Sequence, residues 1–413
     1  MTSVVTRAVG DRLPVALYVH FPFCLSLCPY CDFVVYSGRS ARGPDSRIEA
    51  FIDAVVAEID LRAVAAPLDS VYLGGGTPSL MNAGQAERVL LAIDRGLGVA
   101  AGAEVTIEAN PGVDERGDLA GFRAAGVNRI SIGAQSFDTT ELRRLGRRHS
   151  AADIADTVAG ARAAGFDNVS LDLLYDVPGQ TPDSWRHTLH ATLALAPDHV
   201  SAYALSLEDP DTEGLGAPTG DHLAVRPGAR RWRQRARPEQ DDERAAECYE
   251  TAEELLTGAG YAWYELSNWA RPGRASRHNQ AYWLGEAWEA VGPGAHAFDG
   301  ARTRRWNAAR LDAYLAALTP ADGSSARLPP GGSETTDEAT AAAEAAILRL
   351  RTGFGLPAEL ASRSQFRAAL TWARANGLTE ATADDGVCLT LRGRLLSNEL
   401  FARLLPDAER AAA

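Results

Sequence analysis

Six short runs of apolar and β-branched residues recur through the first half of the chain, with helix-like stretches between them. No other feature constrains the fold as strongly. The runs are VALYVHF (Val15–Phe21), SVYLGG (Ser70–Gly75), EVTIEA (Glu104–Ala109), RISIGAQ (Arg129–Gln135), NVSLDLL (Asn168–Leu174) and HVSAYAL (His199–Leu205). Segments such as RIEAFIDAVVAEIDL and ADIADTVAGARAAG separate them. Strands that alternate with helices pair in parallel through right-handed crossovers. We read the runs as lacking strict alternation, the pattern of strands buried on both faces. The expected fold is α/β: a partial (β/α)6 barrel, open because it stops short of the closed barrel of eight units.

After Leu205 the rhythm breaks. VRPGARRWRQRARPEQDDER packs six Arg between Val225 and Pro238 beside an acidic run and reads as a solvated surface loop. From about Asp241 a helix leads into YAWYELSNWA, and PADGSSARLPPGGSE (Pro320–Glu334) reads as a linker. Two or three helices, a hairpin-like LTEATADDGVCLT and a closing helix follow, in the order of a small winged-helix domain. The expected division is a barrel core over 1–215, an extension over 216–320 and a carboxyl-terminal α+β, winged-helix-like part over 335–413. The formal charge of −13 argues against a nucleic-acid partner, so that last part is expected to pack or dock rather than bind DNA. All 41 basic residues are Arg, which with abundant Ala and Gly reflects codon bias. Met1–Arg12 lacks the apolar stretch of a signal peptide, and no apolar run of 18 residues predicts a membrane span. Five cysteines, odd in number and mostly clustered, fit reduced thiols and a cytoplasmic location better than a disulfide framework.

Three of those cysteines, Cys24, Cys28 and Cys31, lie in FPFCLSLCPYCDF. A zinc site completed by His20 or Cys248, or inert thiols, would account for them in isolation. The C-x₃-C-x₂-C spacing, however, directly follows the first strand, at the carboxyl end of the barrel, where barrel active sites lie. It resembles the signature of the radical S-adenosylmethionine (SAM) superfamily. The resemblance implies a [4Fe–4S] cluster with three thiolates on three irons and the fourth iron open. In that family the amino and carboxylate groups of SAM chelate the open iron. One electron into the sulfonium then yields methionine and a 5′-deoxyadenosyl radical.

YLGGGTPSL, TIEANPG, RISIGAQSFDTTELRRLGRRH and LDLLYDVPGQT follow at successive strand ends. Together with the cysteine motif they resemble the branch holding oxygen-independent coproporphyrinogen III oxidase and the heme chaperone HemW. Locally, Gly74–Gly76 let backbone approach a ligand, and Thr77–Pro78 start a helix. Glu108 at a strand end suits a ribose diol, as in dinucleotide sites. An Arg–Asp set pairs with the zwitterionic end of SAM, although a structural salt bridge is the plainer alternative. By resemblance, Tyr18, Gly75 and Glu108 match positions around the SAM on the cluster. Tyr30, Gly76, Thr77, Gln135, Arg147 and Asp172 match positions around a second SAM in the oxidase.

Two departures separate oxidase from chaperone. The oxidase branch carries a further Cys two residues after the last cluster cysteine, where this chain has Phe33, and it has a longer segment before the motif than the 23 residues here. HNQAYW (His278–Trp283) resembles the HNxxYW motif of the chaperones, whose His278, Asn279, Tyr282 and Trp283 are then heme-contact candidates; His296 and Cys248 compete as ligands, and core packing explains the same residues equally well. Asp176 in YDVPGQT stands where relatives have Gly. The expected function is to bind heme and transfer it to an acceptor protein, with an electron donor if the cluster is reduced. The alternatives are the oxidase and a cluster-bearing regulator that uses the carboxyl-terminal part on DNA.

Overall fold

A computed structural model describes residues 13–207 and 219–406. Met1–Arg12 and the expected boundary at 215–216 lie outside the described residues. The six runs form six parallel strands: β1 (Ala16–Phe21), β2 (Leu68–Gly75), β3 (Val99–Ala109), β4 (Arg129–Gln135), β5 (Val169–Tyr175) and β6 (His199–Ala204). Helices α1 (Ile48–Leu61), α2 (Ala83–Gly96), α3 (Leu119–Ala124), α4 (Thr139–Arg144), α5 (Ala151–Ala163) and α6 (Pro182–Ala194) connect them. Local chemistry fixes where several begin. Asn82 with Gln85, Ser150 with Asp153 and Thr181 with Ser184 form reciprocal capping boxes at α2, α5 and α6.

These strands are not continuous apolar runs, as the sequence reading had them. They alternate. Val71, Leu73, Val105, Ile107, Ile130, Ile132, Leu171 and Val200 face outward into the main hydrophobic core. The residues between them, including Tyr72, Glu108, Arg129, Ser131, Asp172 and Ser201, line the barrel cavity. Both faces are buried, but only the outer one is apolar. Burying polar side chains inside is tolerable because they bond to one another or face a ligand space.

The second half extends both barrel edges. The added strands are β7 (Ala262–Glu265), β8 (Asn268–Ala270), β9 (Trp288–Val291), β10 (His296–Phe298), β11 (Thr303–Asn307) and β12 (Gly331–Thr335). One sheet of 12 strands results, in the order β12-β11-β10-β9-β1-β2-β3-β4-β5-β6-β8-β7. β9 runs parallel to β1, and β8 antiparallel to β6. β12 occupies part of the segment read as a linker, so Gly331–Thr335 is an edge strand, not a connection. The fully buried Glu58 on α1 ties this extension to the barrel. It accepts hydrogen bonds from Arg62 (2.7 Å), Asn307 Nδ2 (2.8 Å), Gly292 N (3.0 Å) and Tyr314 OH (2.6 Å).

The arginine-rich segment is also not a loop. It forms helix α7 (Pro227–Ala236), with Pro227 at its first position. Helix α8 (Asp242–Gly258) follows, then α9 (Arg277–Trp283), α10 (Leu311–Leu318) and α11 (Glu338–Leu350). The carboxyl-terminal part continues through short helices, the hairpin Thr379–Ala381/Val387–Leu389 and the helix Ser397–Leu404. It encloses its own small core of Leu350, Leu356, Phe366, Leu378 and Leu400. Among the described residues no helix is long and apolar enough to cross a membrane.

Candidate cluster and cofactor cavity

A cavity of about 400 Å³ opens at the carboxyl ends of the parallel strands. Cys24, Cys28 and Cys31 all line it. The loop that carries them is held from several sides. The Gly76 and Thr77 amides donate to Phe21 O and Phe23 O, both at 2.7 Å, which pins the approach to Cys24. A Cβ on Gly76 would lie 2.5 Å from Phe23 O and 2.9 Å from Phe21 O, so only glycine admits this contact. Gly76 thus meets the chain's own backbone as well as the cavity. The Thr77 hydroxyl donates to Cys24 Sγ (3.2 Å), and Arg147 approaches Cys28 Sγ at 3.7 Å. Burial pushes the Cys24 and Cys31 thiols up to about 12, so without a metal they hold their protons. Metal binding therefore releases protons.

Glu108 closes β3 with one oxygen accepting from Tyr72 OH (2.8 Å) and the other from Gly75 N (2.9 Å). Burial raises its carboxyl to about 7, with the Tyr72 hydrogen bond opposing and nearby Asp172 adding to the rise. Asp172 on β5 accepts from Ser131 Oγ at 3.0 Å and is likewise raised, chiefly by burial. Arg147 donates to Asn110 Oδ1 and to Gly133 O (2.8 Å). Gln135, with φ of 64°, ends β4 and also faces the cavity.

The structure thus brings Cys24, Cys28, Cys31, Tyr30, Gly75, Gly76, Glu108, Gln135, Arg147, Asp172 and Asn279 around one space. Tyr18 and Thr77 stand behind its wall. Tyr18 bonds His20 Nδ1 at 3.0 Å, and Thr77 accepts from Asn110 at 3.0 Å. The buried His278 and the half-buried Tyr282 form an aromatic layer beneath the cavity floor. His278 stacks on Tyr72 at 5.1 Å, and both its ring nitrogens are engaged, Nδ1 with Ser70 Oγ (3.0 Å) and Nε2 with Tyr282 OH (2.7 Å). Burial lowers its imidazole to about 3. Trp283 lies under the Arg351 guanidinium, 4.7 Å away. His20, the first alternative fourth ligand, is turned away and bonded to Val34 O at 2.8 Å; Cys248, the second, is buried on α8.

Cavity residues outside the sequence reading include Tyr72, Arg129, Ser131, Ser201, Asn110, Glu115 and Tyr203. Their signal was the polar half of the alternating strands, as in Arg129-Ile-Ser131-Ile, together with Asn110 in TIEANPG. Asp176 has a local explanation. Its φ of 55° is a backbone state that glycine adopts without strain, and its carboxylate is gripped by Arg244 of α8.

Residues 18–192 match the radical SAM superfamily. The heme chaperone HemW of Mycobacterium tuberculosis is 37% identical over 95% of each chain. That of Synechocystis is 38% identical over 71% of this chain and 68% of its own. The solved structure of coproporphyrinogen III oxidase (HemN) from Escherichia coli superposes with a TM-score of 0.77, over 95% of this chain and 90% of that one, at 22% identity. That likeness speaks for the fold. The cysteine loop at the mouth of a half-open barrel and the identity along nearly the whole chain agree, and the chain belongs to the radical SAM superfamily and, within it, to the HemW family.

Proposed function

We propose that this protein binds heme and passes it to an acceptor protein, and that Cys24, Cys28 and Cys31 hold a [4Fe–4S] cluster with SAM at its open iron. The observation that carries the reading is similarity along the whole chain to relatives named heme chaperone. The site fits the cluster. Three half-buried thiols share one cavity without a fourth cysteine, and Phe33, at the position of the oxidase branch's extra Cys, is 63% exposed on its rim. When bound, cluster and SAM supply one-electron chemistry. The chain's own residues do the rest. Glu108 is set to accept a ribose diol, and Arg147 and Asp172 present opposite charges to the ends of a zwitterion. The apolar Leu27, Phe33 and Leu174 limit water at the mouth.

The polar aromatic layer of His278 and Tyr282 supports the barrel floor in this reading, and Asn279 alone of that motif reaches the cavity. An electron donor is needed only if the cluster is reduced. The absence of a membrane-spanning helix among the described residues and the clustered thiols support a cytoplasmic setting. The test is anaerobic reconstitution with iron and sulfide, then heme titration at the Soret band, with coproporphyrinogen turnover assayed on the same sample. Stoichiometric heme binding without turnover is expected. Turnover would instead establish the oxidase, and a sample that forms no iron–sulfur chromophore would remove the cluster from the proposal.

A further inference from the structure

We infer that Arg233 of α7 is a positioning residue that locks the cysteine loop in the shape that receives the cluster. The inference rests on the cluster assignment above. Helix α7 is anchored first. Trp232 and Ala236 pack on Leu145, Leu174 and Leu205 at the carboxyl end of the barrel, and the Arg237 guanidinium donates to Leu207 O at 2.6 Å. From that base the Arg233 side chain, 2% exposed, reaches the loop. Its Nε donates to Pro29 O, and one terminal nitrogen donates to Tyr30 O and Cys31 O, all at 3.2 Å; the same nitrogen meets the Asp32 carboxylate.

Three consecutive carbonyls converging on one guanidinium fix three consecutive peptide planes, because each peptide is rigid and planar. Those planes carry Tyr30 and Cys31 and follow directly on Cys28. The carbonyls of so tight a loop have no ladder to join, and leaving them unpaired in a half-buried place is costly. A guanidinium offers its donors in one flat fork, which a lysine ammonium does not. Pro29 is held on its other side by Gly146, where a Cβ would come within 2.9 Å of its ring. The loop is thus braced between α7 and the turn after α4. Among six arginines in one segment, Arg233 alone is buried in this grip, while the helix's other arginines lie toward solvent.

The experiment compares wild type, Arg233→Gln, Arg233→Lys and Asp32→Ala. Backbone hydrogen exchange is followed by mass spectrometry on the metal-free proteins, and iron content and cluster lifetime against a chelator on the reconstituted ones. Arg233→Gln is expected to speed exchange in residues 24–33 and to shorten cluster lifetime about tenfold, the usual scale for a lost outer-shell partner, with exchange in β3 and β4 unchanged. Arg233→Lys keeps the charge but not the fork, and is expected to recover less than half of the lifetime. Wild-type exchange and lifetime in Arg233→Gln overturn the inference, and so does full recovery by lysine, which would reduce the role to charge. If Arg233→Gln does not fold, the lysine variant and Asp32→Ala, altered at a half-exposed side chain, decide. Shortened lifetime in either supports the lock, and wild-type values in both overturn it. A wild-type protein that forms no cluster would sink the cluster assignment instead, while the exchange measurement on metal-free protein would still judge the lock.

Discussion

Glu108 offers a direct test of the cavity as a nucleoside site. Its carboxyl, raised to about 7 by burial, is shared between Tyr72 OH and Gly75 N, with Asp172 and Arg129 as the charged neighbours facing it. A ribose diol donates hydrogen bonds, so it prefers the ionised acceptor. If binding requires the carboxylate, a pKa near 7 leaves it about one-eleventh ionised at pH 6 and about ten-elevenths at pH 8. The association constant for a ribose ligand should then rise about tenfold across that interval, equivalent to about 1.4 kcal/mol, and flatten above it. Adenosine is the suitable probe, since it carries the diol and no group that titrates near neutrality. Calorimetric titration of the metal-free protein at several pH values reads the constant directly. Glu108→Gln should bind more weakly at pH 8 and show no pH slope. An affinity independent of pH in wild type, or the same slope in the glutamine variant, would refute the assignment of Glu108 to the diol. The sign for folding is opposite. A carboxyl raised in the folded state contributes stability that is complete below its unfolded value and is lost as pH rises through about 7, so the empty protein stabilises on mild acidification while its nucleoside affinity declines.

Three further outcomes follow from the geometry. Gly76→Ala places a methyl against the Phe23 and Phe21 carbonyls, which no rotamer relieves; denaturant unfolding should show a loss of about 1–3 kcal/mol, and iron incorporation should fall with it. Glu58→Ala strips the shared acceptor from Arg62, Asn307 and Tyr314, at a cost of about 3–5 kcal/mol by the same measurement, whereas Glu58→Gln keeps the shape and should cost less. His278→Ala leaves Ser70 Oγ and Tyr282 OH without a partner and should destabilise by about 1–3 kcal/mol, while the Soret titration with heme keeps its stoichiometry; loss of the heme band in a folded variant would make His278 a ligand after all.

Much of the barrel was legible because each strand announces itself by local composition, and every connecting helix but α1 starts at a side-chain cap. The polar half of the alternation was misread for an identifiable reason. Tyr72, Arg129, Ser131 and Asp172 sit between residues so apolar that the runs look buried throughout, and only the curvature of the sheet shows that the inner face borders a polar space. The cysteine loop was legible from its spacing together with its place directly after the first strand. Its supports were not, since Arg233 lies some 200 residues away in a segment whose composition says surface, and a single buried arginine among exposed ones leaves no periodic trace. Gly331–Thr335 was hidden likewise. Glycine and serine disfavour strands, but pairing with Thr303–Asn307 overrides that preference.

Strand β1, which delivers the chain to Cys24, lies inside the sheet with β2 on one side and β9 on the other. Its second neighbour, Trp288–Val291, comes from some 270 residues further along the polypeptide. A ribosome delivers Cys24, Cys28 and Cys31 early and this neighbour late. Until residue 291 emerges, the strand leading to the thiols keeps a bare edge, open to mispairing. Contacts so distant in sequence also form slowly. The frame around the three thiols is therefore complete only once residue 291 of the 413 has been made.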